Sequence, residues 1–332
     1  MHRSTEGGKK MKKQNPVSKW IKEYGIVLVL ILEVILFGIL KPKFVTVSNF
    51  LTILKQSSTV CICAVGMLFV LLTGGINLSV GFMMSATGMI CAIFMVWFGM
   101  NPVVAILLAM IVMLLVGVVI GSVVAYLNVA PFIVTMAFMN VLKGFSFMVT
   151  DGRNISDLPD SFCEIGLGSF LGIPIPIILM ALALFLGYFI LRRMYAGRFF
   201  FAIGSNEEAA RLSGVNVELT KILTYVISCF FATFAGIVML ARIKTAAPNT
   251  GNGLEFDVIT ACVLGGVSMT GGEGKIYQVL VGSVIIAALN NGLIMLQVSE
   301  YIQIILKGII LMLAVIYDMM QRKRKKKVVI AA

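Results

Sequence analysis

Long apolar runs, separated by short polar segments, make up most of this chain. Ten of these runs reach or approach the roughly twenty residues that are needed to cross a hydrocarbon core of about 30 Å. Runs of this length are typical of membrane-spanning helices. They occupy residues 26–40, 60–72, 80–98, 103–126, 129–149, 170–191, 222–241, 257–270, 276–296 and 302–317. The pattern therefore predicts an all-α polytopic membrane protein with about ten transmembrane helices.

Two glycine-rich breaks interrupt this apolar pattern. The first reads LTGGINLSVG at residues 72–81, and the second reads LGGVSMTGGEGK at residues 264–275. Unpaired backbone amides and carbonyls cannot face lipid, so each break should lie within protein or beside a watery cavity. The 191 residues from Gly75 to Gly266 place one break in each half of the chain, which predicts an internal repeat with a pathway at its interface. Close packing of helices through small residues is the alternative explanation for any single glycine.

The polar residues of the first break indicate what such a pathway carries. Gly74, Gly75, Asn77 and Ser79 should face inward, where they offer hydrogen-bond donors and acceptors without fixed charge. Such a lining suits an uncharged, polyhydroxylated solute better than an ion. A proton- or sodium-coupled carrier would be expected to have a carboxylate near the middle of a broken helix, where this chain has Asn77.

Few ionisable residues lie within the apolar runs. They include Glu33, Lys143, Asp257 and Lys307. Ionisable side chains inside a membrane are functional candidates by default, although Lys143 and Lys307 could instead extend to an interface.

Composition agrees with a membrane protein and narrows the chemistry. Hydrophobic residues make up 59% of the chain, charged residues make up 13%, and the mean hydropathy is +1.01, far outside the range of soluble domains. The only histidine is His2, and the six cysteines lie mostly within apolar runs, so we expect no metal site, no cofactor and no histidine catalysis. No GxxxxGK[ST] phosphate loop is present, so energy for transport against a gradient would have to come from a partner or an ion.

Basic residues are concentrated in three segments. Of 27 Lys and Arg residues, 18 lie in residues 1–24, 192–221 and 321–332, and cytoplasmic segments near membrane spans carry such an excess. We therefore expect both termini and the internal loop in the cytoplasm. The acidic loop at residues 150–169 should be external, with its Cys163 open to a membrane-impermeant thiol reagent. The net charge of +12 indicates topology and attraction to anionic lipid, and no nucleic-acid partner is expected.

The internal loop contains a further motif, AIGSNEEAARLSGVNV, at residues 202–217. Asn206 is a favourable N-cap, Glu207 and Glu208 would stand in the first turn where the helix dipole favours them, and Gly214 can end the helix. A short helix held at the cytoplasmic face by two spans would project from the membrane, where a groove in another protein could bind it. A plain solvated connector is the alternative explanation.

Three motifs, in this order, resemble one group of transporters. They are LTGGINLSVG at residues 72–81, AIGSNEEAARLSGVNV at residues 202–217 and VLGGVSMTGGEGKIYQVLVGSVIIAALNNGL at residues 263–293. Over nearly its whole length after about Trp20, the chain resembles the permease subunits of bacterial ATP-binding cassette importers of the ribose, galactose and xylose type. These importers fall within a larger group that also holds branched-chain amino acid and nucleoside permeases. Where the family usually has Asp, this chain has Asn77.

The resemblance implies a monosaccharide importer of the bacterial cell membrane. Such an importer has two permease chains, identical or different, together with two cytoplasmic ATPase modules and an external sugar-binding protein. This chain would be a transport subunit and not an enzyme, because the partner ATPase hydrolyses ATP. Its transmembrane permease domain would occupy residues 25–320. Nucleosides or branched-chain amino acids are the alternative cargo, and an autonomous ion-coupled carrier is the alternative mechanism.

The resemblance also implies roles for individual residues. The two breaks would be elements of the translocation pathway, with two asparagines of the ninth run as further lining residues. A helix in the internal loop would couple ATP hydrolysis to the permease. The residues implied for the pathway are Gly74, Gly75, Asn77, Ser79, Gly265, Gly266, Asn290 and Asn291, and those implied for coupling are Ser205, Asn206, Glu207, Glu208, Ala209, Ala210 and Gly214.

Overall fold

The computed structural model describes residues 16–330 of the chain and the side chains of residues 26–320. The basic segments at residues 1–24 and 321–332 therefore lie outside the residues whose side chains are described. Within the described part the chain is almost entirely helical. The helices are α1 (Pro16–Leu40), α2 (Val47–Leu72), α3 (Val80–Ala92), α4 (Pro102–Tyr126), α5 (Pro131–Met148), α6 (Asp160–Leu167), α7 (Ile175–Arg193), α8 (Tyr195–Ser205), α9 (Glu207–Leu212), α10 (Val217–Ile243), α11 (Leu254–Gly265), α12 (Ile276–Met295) and α13 (Glu300–Ile330).

Short irregular elements connect these helices. A single 3₁₀ turn at Pro42–Val45 joins α1 to α2, and α3 continues as a wider π-helical turn through Ile93–Trp97. Two short antiparallel strands, β1 (Ser169–Phe170) and β2 (Ile173–Pro174), form a hairpin before α7. The predicted sixth apolar run therefore begins in a hairpin, and its helix begins five residues later than the run.

Eight of the described helices are long and apolar enough to cross a membrane: α2, α3 with its extension, α4, α5, α7, α10, α12 and α13. The other two predicted runs lie in α1, whose apolar part is Ile26–Leu40, and in α11. With 12 residues, α11 is about 18 Å long and reaches only part of the way across a hydrocarbon core. The prediction of an all-α polytopic membrane protein is confirmed, and the eighth predicted span is a half-length helix because the second break ends it.

The centre of the molecule is built on α2 and α10. In α2, 83% of the apolar segment is buried within the chain, whereas in α13 only 6% is buried. Helix α10 packs against α2, α3 and α4, and α12 packs against α2 and α11. The ring of Phe69 stacks on Phe231 at 6.4 Å and meets Phe200 edge-on at 5.5 Å, so α2, α10 and α8 share one core.

Several glycines serve close helix packing, as the alternative explanation predicts for single positions. A Cβ atom at Gly121 of α4 would lie 2.7 Å from the Cα of Ile222 on α10. A Cβ atom at Gly66 of α2 would lie 3.0 Å from the Cα of Ser228, which is also on α10. Small residues let backbones approach this closely in membrane proteins.

The acidic loop at residues 150–169 contains a helix that the sequence pattern does not predict. Helix α6 packs against α10 and α7, and a Cβ atom at Gly166 would overlap with the backbone of Arg242. Cys163 lies in this helix and is only 4% exposed. Burial also raises the pKa of the Cys163 thiol, which lowers its thiolate fraction. The expectation that Cys163 is open to a thiol reagent is therefore wrong.

Candidate translocation and coupling site

The first break is a helix C-cap built on a left-handed glycine. Gly74 has φ of +80°, and its N–H donates to the carbonyl of Leu71 at 2.9 Å. The N–H of Gly75 donates to the carbonyl of Val70 at 3.0 Å. This pair of bonds is the Schellman motif, and it satisfies carbonyls that the end of α2 would otherwise leave unpaired.

The second break ends α11 with the same geometry. Gly266 has φ of +92°, its N–H donates to Val263 at 2.9 Å, and the N–H of Val267 donates to Cys262 at 3.0 Å. Gly74 is thus the structural equivalent of Gly266. The sequence spacing paired Gly266 with Gly75, which is one position later. Gly74 and Gly266 are both exposed. The two breaks share their local structure, and the internal repeat remains a prediction.

Asn77 organises the backbone between the first break and α3. Its side-chain oxygen accepts from the Ser79 hydroxyl at 2.6 Å and from the Ser79 N–H at 3.1 Å, and its amide donates to the Ser228 hydroxyl at 3.0 Å. Asn77, Ser79 and Gly75 are all buried within the chain. These polar groups bond to one another and to α10, so in this conformation Asn77 connects the break to the core. An Asp in its place would lack the amide donor, and Ser228 would have to donate.

Tyr225 is a residue at the first break that sequence reasoning missed. A Cβ atom at Gly75 would lie 2.7 Å from the Tyr225 hydroxyl oxygen and 3.1 Å from a methyl group of Val70. Tyr225 is 1% exposed, and its hydroxyl has no hydrogen-bond partner among the described residues. The aromatic residue lies in the apolar stretch of α10, where its type alone gives no signal of a contact 150 residues away.

The two breaks meet at one place. The N–H of Gly272 in the second break donates to the carbonyl of Leu72, the last residue of α2, at 3.0 Å. A Cβ atom at Gly204, near the end of α8, would overlap with both that carbonyl oxygen and the Gly272 nitrogen. We call this contact of Leu72, Gly204 and Gly272 the glycine junction. It places the end of α8 directly against both breaks.

Helix α9 follows the glycine junction and matches the predicted coupling motif. The Asn206 side chain caps it by accepting from the Ala209 N–H at 3.0 Å, and the chain turns at Gly214, where φ is +85°. Ser205, at the end of α8, is exposed, and its hydroxyl donates to the carbonyl of Phe201 at 2.8 Å. The predicted short helix, its N-cap and its end are confirmed.

Ion pairs attach α9 to α10. Lys221 contacts Glu207 at 2.8 Å, and Arg211 contacts Glu218 at 2.8 Å. A force applied to α9 would therefore reach α10 as well as the glycine junction.

The two faces of α9 differ. Ala210 is 4% exposed and packs with Ile203 and Val217 of the same chain. Glu208 and Ala209 are exposed, and Leu212 is 81% exposed. The surface open to another protein therefore includes Glu208, Ala209 and Leu212, and Ala210 anchors the helix.

The two asparagines of α12 lie away from the breaks. Asn290 is 14 residues after the start of α12, which is about 21 Å along the helix. The side-chain oxygens of Asn290 and Asn291 are buried and have no hydrogen-bond partner in the described part of the chain. Gly265 packs instead on the other end of α12, against the backbone of Gln278. The structure does not bring the asparagines together with the glycines.

Ionisable groups at membrane depth fall into three situations. Lys307 of α13 pairs with the buried Asp257 of α11 at 2.9 Å. Glu255, which sequence reasoning missed, is 3% exposed and lies against Gly81, with one carboxylate oxygen unpartnered among the described residues. An acidic residue two positions before the eighth apolar run is the sequence feature that could have identified Glu255 as a candidate. Both carboxylate oxygens of Glu33 are buried without a described partner.

Lys143 is the exposed cation of this set. Its ammonium lies 5.5 Å from the centre of the Phe82 ring in the first turn of α3. Within the described residues no carboxylate forms an ion pair with it. Among those residues no cluster of His, Cys, Asp or Glu could hold a metal ion.

Comparison with known proteins places the chain in a family. A model of the branched-chain amino acid transport system permease component matches residues 49–315. The ribose import permease protein RbsC of Escherichia coli K12 is 38% identical over 303 residues, covering 90% of this chain and 94% of that protein. The ribose import permease protein RbsC of Bacillus subtilis is 39% identical over 300 residues, covering 90% and 93%.

A further relative extends the match to almost the whole chain. The L-arabinose transport system permease protein AraH of Escherichia coli K12 is 34% identical over 330 residues, covering 98% of this chain and 99% of that protein. No solved structure matches the chain. On these matches, the chain belongs to the family of permease components of branched-chain amino acid transport systems.

Proposed function

We propose that this chain is the permease subunit of an ATP-binding cassette importer that carries a monosaccharide across the bacterial cell membrane. The relatives support this cargo, because their names specify ribose, D-allose and L-arabinose. Its partners would be a cytoplasmic ATP-binding subunit, an extracellular solute-binding protein and a second permease chain in the same lipid bilayer.

The observation that carries this proposal is the glycine junction. Helix α9 presents an exposed surface, and the helix before it touches both backbone breaks through Gly204. A partner that moved α9 would therefore shift both breaks together. An autonomous carrier has no need of an exposed protein-binding surface on α9. The arrangement supports α9, from Ser205 to Gly214, as the ATPase-coupling element.

Orientation follows in this proposal from the basic segments. The termini and the 192–221 loop would be cytoplasmic, which places α9 on the ATPase side, and the loop at residues 150–169 would be external. The permease domain would extend over residues 25–320, with basic cytoplasmic segments at residues 1–24 and 321–332. Of the pathway candidates, the exposed Gly74 and Gly266 would face solute in this conformation. Gly75, Asn77, Ser79 and Gly265 would hold the breaks in position.

The proposal is tested by purifying the chain together with its ATP-binding subunit and solute-binding protein in lipid nanodiscs. ATP hydrolysis is then measured with ribose, D-allose, L-arabinose, a nucleoside or leucine present. We expect stimulation by one of the sugars and not by the nucleoside or leucine. Stimulation by the nucleoside or leucine alone would contradict the proposed cargo, and failure of an ATP-binding subunit to copurify would contradict the proposed mechanism.

A further inference from the structure

A cavity of about 540 Å³ lies where the end of α7 meets α8 and the start of α12. We call it the α7 cavity. Its volume falls within the range of ligand pockets in proteins. Gly274 of the second break also lines it. The α7 cavity therefore lies on the side of the molecule that carries the breaks and α9, which would be the cytoplasmic side in the proposed orientation.

The walls of the α7 cavity are mainly apolar and aromatic. Helix α7 contributes Phe185 and Tyr188, α8 contributes Phe201, and α12 contributes Tyr277 and Leu280. Phe185, Tyr188 and Tyr277 are exposed on the outside of the chain. Tyrosine is enriched where a membrane meets water, with its ring at the level of the lipid headgroups. Such walls suit a hydrocarbon chain whose polar end lies at the membrane surface.

Two cations line the α7 cavity. Arg192 lies in the last turn of α7, and Lys275 directly precedes α12. The Lys275 ammonium lies 5.6 Å from the centre of the Tyr277 ring, so the aromatic wall stabilises it. Among the described residues, neither cation forms an ion pair with a carboxylate, and no Asp or Glu lines the cavity. Its polar end is therefore complementary to an anion.

A second cleft shows that this combination is not a general feature of the surface. It measures about 470 Å³ and adjoins the 150–169 loop. Asp151 and Asp157 line it, with Arg153 as the cation among its described lining residues. Its carboxylates would repel an anion. Of the two cavities, the α7 cavity combines apolar walls with an excess of positive charge.

We propose that the α7 cavity binds an anionic phospholipid of the leaflet at which α7 ends. Arg192 and Lys275 would hold the lipid phosphate through charge-assisted hydrogen bonds, and an acyl chain would lie along Phe185 and Leu280. A soluble phosphate would leave the apolar walls uncovered, and a zwitterionic lipid would leave the positive charge unbalanced. The bound lipid would also contact Gly274, and so would connect α7 to the second break.

Native mass spectrometry of the detergent-purified full chain, alone and with its ATP-binding subunit, tests this site. The protein is titrated with phosphatidylglycerol or with phosphatidylcholine of the same acyl chains, and we expect phosphatidylglycerol to bind more tightly. Arg192→Gln combined with Lys275→Gln should weaken phosphatidylglycerol binding about tenfold or more, because each Lys or Arg beside an anionic lipid strengthens binding several-fold. The matched control combines Arg193→Gln with Arg198→Gln. It removes the same charge from two exposed residues nearby that do not line the cavity, and it should bind like the parent protein.

Equal losses in the two double variants would show that general positive charge attracts the lipid, and would overturn the site. Equal binding of the two lipids, or displacement of phosphatidylglycerol by excess glycerol phosphate, would overturn an anionic lipid as the occupant. Loss of lipid binding when the ATP-binding subunit is present would mean that the partner covers the cavity, which also contradicts the proposal. Because this readout needs neither sugar nor ATP hydrolysis, it is separate from a failure of the proposed function.

Discussion

At the scale of single residues, the breaks depend on backbone geometry and on close contacts. Gly74 and Gly266 adopt left-handed conformations that let a helix stop with its last carbonyls paired. Such conformations cost a side-chain-bearing residue free energy. Gly75 is needed for a different reason, since its neighbour Tyr225 leaves no room for a Cβ atom. Of the adjacent glycines of the first break, Gly74 is therefore required by its backbone conformation and Gly75 by the lack of space for a side chain.

A double substitution tests the contact of Gly75 with Tyr225. Gly75→Ala should lower stability by about 1–3 kcal/mol, the usual range for overpacking a dense core, and should reduce transport. Tyr225→Phe removes the hydroxyl that the new methyl group would meet, and that hydroxyl has no described hydrogen-bond partner to lose. We expect Tyr225→Phe alone to be tolerated and to recover much of the loss in the double variant. Thermal unfolding of the detergent-solubilised protein measures the stability of the single variants and of the double variant. Additive losses would show that the contact does not limit position 75.

At the scale of helices, α9 separates residues that anchor from residues that are open to a partner. Asn206 and Gly214 begin and end the helix as the sequence predicts, because caps are set by local chemistry. Which alanine faces outward is not a local property. Ala210 packs with Ile203 and Val217, whereas Ala209 lies at the surface. The EEAARL motif alone could not tell the two alanines apart.

Paired alanine substitutions test this division. Ala209→Glu should leave the protein folded and inserted but should prevent retention of the ATP-binding subunit, because added bulk and charge disrupt a tight interface. Ala210→Glu should instead lower the amount of folded protein, since it would bury an unpaired carboxylate. Size-exclusion profiles of the solubilised protein and pull-down of the ATP-binding subunit distinguish the two. Full ATPase retention and normal transport in Ala209→Glu would mean that α9 is a plain connector.

The glycine junction makes a second prediction at the scale of elements. Gly204→Ala would force α8 away from Leu72 and Gly272 while leaving the exposed face of α9 intact. We expect ATP-binding subunit retention to be normal and solute uptake to fall several-fold. Gly308→Ala is the matched control, because a Cβ atom there would meet nothing within 4 Å. Normal uptake by Gly204→Ala would show that contact at the junction is not needed for coupling.

At the scale of the whole molecule, hydropathy predicts the membrane spans and local motifs predict the breaks. Eight of the ten apolar runs lie in helices long enough to span a membrane, since lipid imposes a length on each span. The amphipathic helices α6 and α8 are not visible in this way, because their shorter apolar stripes are completed by contacts with α10 and α7. Burial of Cys163 in α6 is missed for the same reason. Burial of Glu255 is missed because it depends on the contact with Gly81 of α3. Contacts between segments far apart in sequence, such as Gly204 with Leu72, require the folded structure.

Topology is tested with a new cysteine in place of the buried one. Ser156 lies in the 150–169 loop and is exposed. In intact cells, Ser156→Cys should react rapidly with an impermeant maleimide, whereas the parent protein, with its natural cysteines buried, should not. Gel-based detection of the label measures the difference. Reaction of Ser156→Cys only after the membrane is opened would place this loop, and the charge-based orientation, on the opposite side.

The central claim is that ATP hydrolysis by a partner drives a monosaccharide through this chain. The most direct measurement is uptake of radiolabelled ribose, D-allose and L-arabinose into proteoliposomes. These contain the chain with its ATP-binding subunit, and the solute-binding protein is added on the side that corresponds to the outside of the cell. We predict uptake of one of these sugars that needs ATP, both partners and the intact α9 surface, and that persists when ionophores collapse ion gradients. Sugar uptake driven by an ion gradient in the absence of the ATP-binding subunit would contradict the account.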